Sequence, residues 1–409
     1  MKRHLIGIGG VGMSALATAL LRLGDEVTGA DRTLDTPNVR FLKSLGIRVF
    51  PDDGSGIDAS TDEVIVSTAI EETNPGLVKA SSLGIPVTHR AKALARTLSA
   101  YRLVAVVGTC GKSTVTAMLG HILSVCGLDP MCVNGANVPG WEGAVRFGKG
   151  RYAVAEVDES DKSLVAFSPY AAIVTNASAD HYSKEEMDEV FDAFVEGMPG
   201  PCIDGRKSLP TLASSQKIAE VLPLPGRHNV QNAEMAVRMA CALGVEESAA
   251  VAALANFGGV ERRLQHVGVF GSAPVYDDYA HNPEKIQAMW TTLAEKYPKG
   301  ICVIWRPHGY GPLKKLLDPL AQMFNATIRS QDKLLLLPVY DAGGTACRDI
   351  NSPDLAERID AAKVELVDGL NAAYAWCVAN EGRFAAFVTC GARDPGLPEL
   401  ARRLCGELS

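Results

Sequence analysis

Two glycine-rich loops and one acidic run carry the residues whose types and spacing suit phosphate chemistry. The first loop, Gly7-Ile8-Gly9-Gly10-Val11-Gly12, matches G-x-G-x-x-G between an apolar strand-like run and a helical stretch. Glycines there permit a tight turn and close backbone approach to a diphosphate. The following helix faces that charge with open N–H groups. Asp31 ends the next strand, where a carboxylate can bind a ribose hydroxyl. Alone, this pattern specifies a nucleotide or dinucleotide, with a ligand-free glycine turn as the alternative.

The second loop, Gly108-Thr109-Cys110-Gly111-Lys112-Ser113-Thr114, lies between LVAVV and another helical stretch. Its N–H groups can surround phosphate oxygens, Lys112 can neutralise β/γ-phosphate charge, and the Ser113 hydroxyl can ligate magnesium. Val106 stands where the full P-loop pattern has its first glycine, so this loop is shorter than the general consensus. Two separate phosphate loops imply two nucleotide-like ligands, where a simple dehydrogenase needs one. Glu156-Val157-Asp158-Glu159-Ser160-Asp161 follows a further strand. Carboxylates so crowded repel unless cations or N–H groups compensate them. Magnesium prefers oxygen ligands, so Glu156 suits the loop's metal, and a solvated acidic turn is the alternative. Asp180-His181 follows AAIVTN, where His181 is either a ligand or a structural histidine.

The elements that must hold these loops alternate. HLIGI, EVTGAD, 46–50 and EVIVST read as strands, and Met13–Leu23 as a helix. This alternation implies a parallel sheet covered on both faces. A second unit begins near Tyr101, with a helix at Val115–Val125, strands at Tyr152–Val157 and Ala171–Thr175, and a helix at His228–Leu243. Residues 199–225, rich in Pro, Gly and Ser, read as loops. A third unit follows Arg262-Arg263, with strands at Val275–Asp278, Ile301–Trp305, Leu334–Pro338 and Phe384–Thr389. The expected domains are 1–95, 96–263 and 264–409.

A chain of 409 residues suggests two to four domains, and 47% hydrophobic with 21% charged residues is an ordinary globular balance. The net charge is −7 and no Lys/Arg run stands out, so neither nucleic acid nor an anionic membrane is the expected partner. Ten cysteines form no C-x-x-C pair, which gives zinc little support. Cys302 in ICVIW and Cys390 in FVTC read as buried reduced thiols of a cytoplasmic protein. No apolar run has the length of a bilayer. Lys2 and Arg3 before an apolar stretch raise a signal-peptide reading, but Gly7, Gly9, Gly10 and Gly12 interrupt it.

The ordered set HLIGIGGVGMS, GTCGKST, EVDESDKS, TNASADH, GRHNVQNAEMA, GVERRLQ and DDYAHNPEKI resembles the Mur ligase family, most closely its branch that joins L-alanine to UDP-N-acetylmuramate. The resemblance implies an α/β fold of three domains: a Rossmann-like UDP-sugar domain, a central P-loop ATPase-type domain and a Rossmann-like C-terminal domain. The third would close over the other two and bring the amino acid. Gly7, Gly9, Gly10, Gly12, Met13, Ser14 and Asp31 would contact the UDP-sugar. Gly108 to Thr114, Lys112 and Ser113 included, would hold ATP and Mg2+, with Glu156 and His181 on the metal. His228, Asn229 and Asn232 would lie near adenine. Arg262 or Arg263 would reach the phosphates, and Asp278 and His281 would help with ribose and substrate contacts. As alternatives, the asparagines are helix caps and the arginines surface charges on a linker.

The implied chemistry is phosphorylation of a carboxylate to an acyl phosphate, then attack by an amine. Three departures stand out. Cys110 replaces the branch's usual histidine. The 46 residues between His181 and His228 are fewer than the family usually has, which implies a shortened central domain. In WRPHGYGP, Gly309 and Pro312 stand where the branch has arginines that help bind the amino-acid carboxylate. Arg306, Lys314 and Lys315 are the nearby candidates to compensate. A peptide-recycling paralog is the alternative within the family. A nicotinamide-dependent oxidoreductase and a catalytically inactive nucleotide-binding regulator are the alternatives outside it.

Overall fold

A computed structural model describes residues 1–158, 163–177, 184–341 and 347–407. Its first sheet holds β1 (Lys2–Ile6), β2 (Glu26–Asp31), β3 (Arg48–Pro51), β4 (Glu63–Val66) and β5 (Val87–His89). The strands are all parallel, in the order β3-β2-β1-β4-β5. Helices α1 (Val11–Arg22), α2 (Pro37–Ser44), α3 (Pro75–Ser82) and α4 (Arg90–Leu98) accompany them. This order reverses direction at β1, so the loop after β1 opens at the crevice where doubly wound sheets bind ligands. β1 and β2 approach closely because residue 29 is glycine: a Cβ there would meet Leu5 O at 2.7 Å.

The second sheet runs β11-β10-β6-β9-β7-β8. Its strands are β6 (Arg102–Val107), β7 (Met131–Val133), β8 (Val145–Arg146), β9 (Tyr152–Glu156), β10 (Ala171–Val174) and β11 (Cys202–Asp204). Only the β7–β8 pairing is antiparallel. β6, β9 and β10 are buried along almost their whole length. That explains why they read as continuous apolar runs rather than alternating ones. The helices of this part are α5 (Lys112–Val125), α6 (Lys184–Val195), α7 (Ser215–Val221), α8 (Arg227–Ala242) and α9 (Glu247–Leu254).

The third sheet, β12-β13-β17-β14-β15-β16, begins with an antiparallel hairpin and is otherwise parallel. Its strands are β12 (Gln265–Phe270), β13 (Ala273–Asp278), β14 (Ile301–Trp305), β15 (Lys333–Leu336), β16 (Val364–Leu366) and β17 (Ala386–Cys390). Helices α10 (Pro283–Lys296), α11 (Tyr310–Thr327), α12 (Ser352–Ala356), α13 (Leu370–Ala379) and α14 (Gly396–Leu404) complete it. Alternation divides its two cores. Val303, Trp305, Leu334 and Leu336 face one side, and Cys302, Ile304, Leu335 and Leu337 the other.

The chain forms two compact units, one of residues 1–223 with 229–260, the other of 224–228 with 261–409. Within the first unit the first two sheets share a core: Leu16, Leu20 and Leu94 belong with Leu103, Met131 and Val145. The Arg22–Glu142 ion pair joins α1 to the β7–β8 connection in the same unit.

Two expectations need correction. Residues 199–225 are not loop throughout, since they contain β11 and α7. A Pro/Gly/Ser-rich window hides short elements, and α7 is anchored by the single fully buried Ile218. The strand β12 was not anticipated either, because QHVGVF is interrupted by a register shift between His266 and Gly268. Among the described residues, no helix is long and apolar enough to cross a membrane.

Candidate functional site

The second glycine loop begins where β6 ends and runs into α5. β6 lies between β9 and β10 in the sheet, with Val106 opposite Glu156 and Val107 opposite Val174. The loop, Glu156 and Thr175-Asn176 therefore leave the same edge of the sheet side by side. Parallel strands place their C-terminal ends together, which makes three distant stretches of sequence one site.

Thr175 and Asn176 brace the loop. Asn176 Oδ1 accepts from Thr109 Oγ1 at 2.6 Å and from Cys110 N at 2.9 Å. Cys110 O accepts from Thr175 Oγ1 at 2.7 Å and Asn176 Nδ2 at 2.9 Å. Gly108 (φ +126°) and Gly111 (φ +85°) take backbone conformations that side chains disfavour. Space demands them too, since a Cβ on Gly108 would collide with Thr175 Oγ1, and one on Gly111 would stand 2.7 Å from Asn232 Oδ1. Asn232 of α8 thus sits against the loop and is 8% exposed, with Asn229 buried at 5%.

Lys112 Nζ donates to Gly108 O at 2.6 Å, folding the ammonium back over the loop. Val115 N bonds to Gly111 O, so the backbone N–H groups of Ser113 and Thr114 open the helix, with no acceptor among the described residues. That is the arrangement a phosphate chain requires. Glu156 Oε2 accepts from Gly135 N at 2.8 Å, and a Cβ on Gly135 would strike the Glu156 carboxylate. Ser113 and Glu156 each offer oxygen, the donor type that Mg2+ prefers. Among the described residues no group of three or more His, Cys, Asp or Glu converges on one point. Glu159, Ser160, Asp161, Asp180 and His181 lie outside the described residues.

The first glycine loop is braced as firmly. Gly7 N and Ile8 N bond to Ala30 O, and Gly9 N donates to Asp31 Oδ2 at 2.8 Å. Asp31 Oδ1 accepts from Thr33 N at 3.0 Å. Both oxygens of the carboxylate expected on a ribose therefore hold the loop in shape. Gly10 caps α1, and Ser14 N bonds back to Gly10 O. Val11, Gly12 and Met13 present N–H groups that no described residue accepts. Ser14, 6% exposed, turns its hydroxyl to Val11 O.

In the other unit, the two adjacent arginines differ. Arg262 (φ +58°) donates from Nε to Asp277 Oδ2 at 2.9 Å and from Nη2 to Gly391 O at 2.6 Å. Arg263 lies over the Tyr279 ring at 5.4 Å, with no hydrogen bond or ion pair to a described residue. Asp278 is 8% exposed and accepts from Leu264 N and Ala280 N, each at 2.7 Å. Burial raises its pKa. Burial also pushes Asp277 up to about 6, although Arg262 and Thr389 pull it down. His281 stacks edge-on to His308 with ring centroids 4.9 Å apart. His228 groups with this unit, and burial lowers its pKa.

Gly309 caps α11 and Pro312 lies in its first turn. Two of the three neighbouring cations are already committed. Arg306 bonds Asp394 at 2.7 Å, and Lys314 pairs with Asp349. Lys315 is exposed, with no partner among the described residues.

Sequence reasoning missed the bracing roles of Asn176 and Gly135 and the position of Arg90. A Cβ on Gly12 would stand 3.0 Å from Arg90 Nη1, although the two residues are far apart in the chain. No periodicity signals such a contact.

Residues 2–102 match the model described as Mur ligase family, catalytic domain, and residues 262–393 match that of the Mur ligase, glutamate ligase domain. The UDP-N-acetylmuramate–L-alanine ligase of Sinorhizobium fredii is 33% identical over 88% of this chain and 87% of its own. The same enzyme of Bartonella bacilliformis is 31% identical over 98% of this chain and 95% of its own. That alignment spans 459 positions against 409 residues here, so the relative carries segments this chain lacks. The crystal structure of the Thermotoga maritima UDP-N-acetylmuramate–alanine ligase superposes with a TM-score of 0.81 at 25% identity, covering 99% of this chain and 98% of that one.

Proposed function

The chain belongs to the Mur ligase family, and from that premise we propose that it is a cytoplasmic, ATP-dependent, ADP-forming ligase of peptidoglycan synthesis. It joins an amino acid, with L-alanine favoured, to the carboxylate of UDP-N-acetylmuramate. The observation that carries this reading is the braced loop at Gly108–Thr114, with Lys112 folded over it and Glu156 leaving the adjacent strand.

A carboxylate resists attack by an amine because oxide is a poor leaving group. Transfer of the γ-phosphoryl group to the substrate carboxylate gives an acyl phosphate and ADP. The amine then adds to the acyl carbon, the tetrahedral species expels phosphate, and an amide remains. Lys112 and the N–H groups of Ser113 and Thr114 neutralise charge on the transferring phosphoryl oxygens. Ser113 and Glu156 would hold Mg2+, which would supply further neutralisation of phosphate charge. The N–H groups of Val11, Gly12 and Met13 bind the diphosphate of the UDP-sugar. Of the two linker arginines, Arg263 is the candidate for a phosphate, because its guanidinium makes no hydrogen bond or ion pair to a described residue, whereas Arg262 is bonded to Asp277. The amino acid falls to the C-terminal domain, with His281 and His308 its polar groups.

The test is phosphate release with UDP-N-acetylmuramate and a panel of amino acids, repeated with Lys112→Ala. Release that depends on L-alanine and falls about a thousandfold in the variant supports the reading. Full activity in Lys112→Ala would remove the loop from the chemistry. Release with another amino acid but not alanine would retain the ligase and change its substrate.

A further inference from the structure

We propose that Arg90 is the side chain that fixes the diphosphate of the UDP-linked substrate over the first turn of α1. This rests on the reading of the first loop as the UDP-sugar site, and adds to it the cation that the glycine pattern lacks.

Three observations carry it. First, position: the Arg90 guanidinium lies against Gly12, so that a Cβ at residue 12 would stand 3.0 Å from Nη1 and 3.4 Å from Cζ. A side chain at 12 would crowd this arginine as well as a ligand. Second, isolation: Arg90 is half-buried, yet it makes no hydrogen bond, ion pair or ring contact with a described residue. The Asp31 carboxylate on the same loop is already held by Gly9 N and Thr33 N. Third, accumulated positive potential: Arg90 is the first residue of α4, where a cation is unfavourable beside the positive end of the helix dipole. It also leans on the N-terminus of α1. Neither helix has an acidic residue in its first turn. Two helix N-termini and a guanidinium, with no acidic residue in either first turn, together favour a bound anion. The planar fork of arginine matches two phosphate oxygens at once, whereas the backbone N–H groups of α1 bind singly.

Arg90 thereby acts at a distance from the bond-forming centre, so its effect falls on binding more than on chemistry. The test measures binding of UDP, UDP-N-acetylmuramate and uridine by calorimetry to the wild-type chain, Arg90→Ala, Arg90→Lys and Arg90→Gln. Steady-state kinetics and ligand-free melting accompany it. Loss of a charge-assisted contact should raise the Kd for both diphosphates and the KM for the sugar nucleotide about 10- to 100-fold. kcat should fall much less, and ligand-free melting should stay where it was. Lysine should restore part of the loss. Uridine, which lacks phosphate, should bind all variants alike. Arg90→Gln keeps most of the stem without the charge and decides the matter if Arg90→Ala does not fold. Wild-type affinity for UDP in the alanine or glutamine variant overturns the role of Arg90 alone. A wild-type chain that binds neither diphosphate overturns the reading of the first loop, and this inference with it.

Discussion

Arg262 Nε stands 2.9 Å from Asp277 Oδ2, and this pair binds one of two adjacent arginines into the fold while the other stays unbonded. Asp277 is fully buried on β13, with Thr389 Oγ1 donating to its second oxygen at 2.7 Å. The expected outcome is a split between neighbours. Arg262→Ala strands a buried carboxylate and should cost about 3 kcal/mol at pH 7 in denaturant unfolding. Arg263→Ala should cost clearly less stability than Arg262→Ala, about 1 kcal/mol, while depressing ligation. Equal loss of stability in both variants would contradict the division.

The same carboxylate predicts a pH dependence. Burial raises Asp277 to about 6, above the ordinary range of an unfolded aspartate. The native state therefore binds this proton more tightly than the unfolded state. The sign follows: stability contributed by this group is present below about pH 4 and declines as pH rises to about 6, with an upper size of about 3 kcal/mol. Asp278, also raised by burial, contributes in the same direction. The difference in unfolding free energy between wild type and Asp277→Asn, followed from pH 4 to 7, should trend this way. A flat difference would show that the group titrates normally.

Asn176 makes three of the bonds that shape the ATP loop, to Thr109, to Cys110 N and to Cys110 O. Asn176→Ala should lower stability by about 1–3 kcal/mol and raise the KM for ATP, because the N–H groups of the loop lose their fixed direction. Melting with and without ATP checks it: the shift produced by saturating nucleotide should shrink. An unchanged KM would mean that the loop holds its shape alone.

Gly135 reaches Glu156 through its N–H and leaves no room for a side chain. Gly135→Ala should push the carboxylate aside and raise the Mg2+ concentration for half-maximal activity, with less effect on the KM for the sugar nucleotide. A magnesium titration that overlays the wild type would detach Glu156 from the metal.

Much of the scaffold was readable in one dimension because its signals are local. β2 and β14 were expected to the residue, since apolar runs ended by glycine or charge leave little freedom. The two glycine loops were legible for the same reason: tight turns restrict residue type at fixed spacing. The edge strand β11, the seven-residue α7 and the bulged β12 were not, because β11 depends on β10 far back in the chain, α7 is short, and a register shift breaks the β12 pattern. Contacts within the loops were not legible either. Asp31 was expected to face a ribose, and its two oxygens hold Gly9 and Thr33. Of the three candidates to compensate for the lost arginines, Arg306 and Lys314 are paired with acids distant in sequence, and Lys315 has no partner among the described residues.

From its sequence alone this protein had its loops, its strand and helix alternation and the side-chain types able to bind phosphate, because backbone sterics and hydrophobic periodicity act between near neighbours. Folding alone decided which of those side chains are committed and which remain open. Hydrogen bonds and ion pairs form across contacts such as Arg306–Asp394 and Thr109–Asn176, and only parallel strands laid side by side create those contacts. A charge is available to a ligand only when the fold leaves it without an acid of its own.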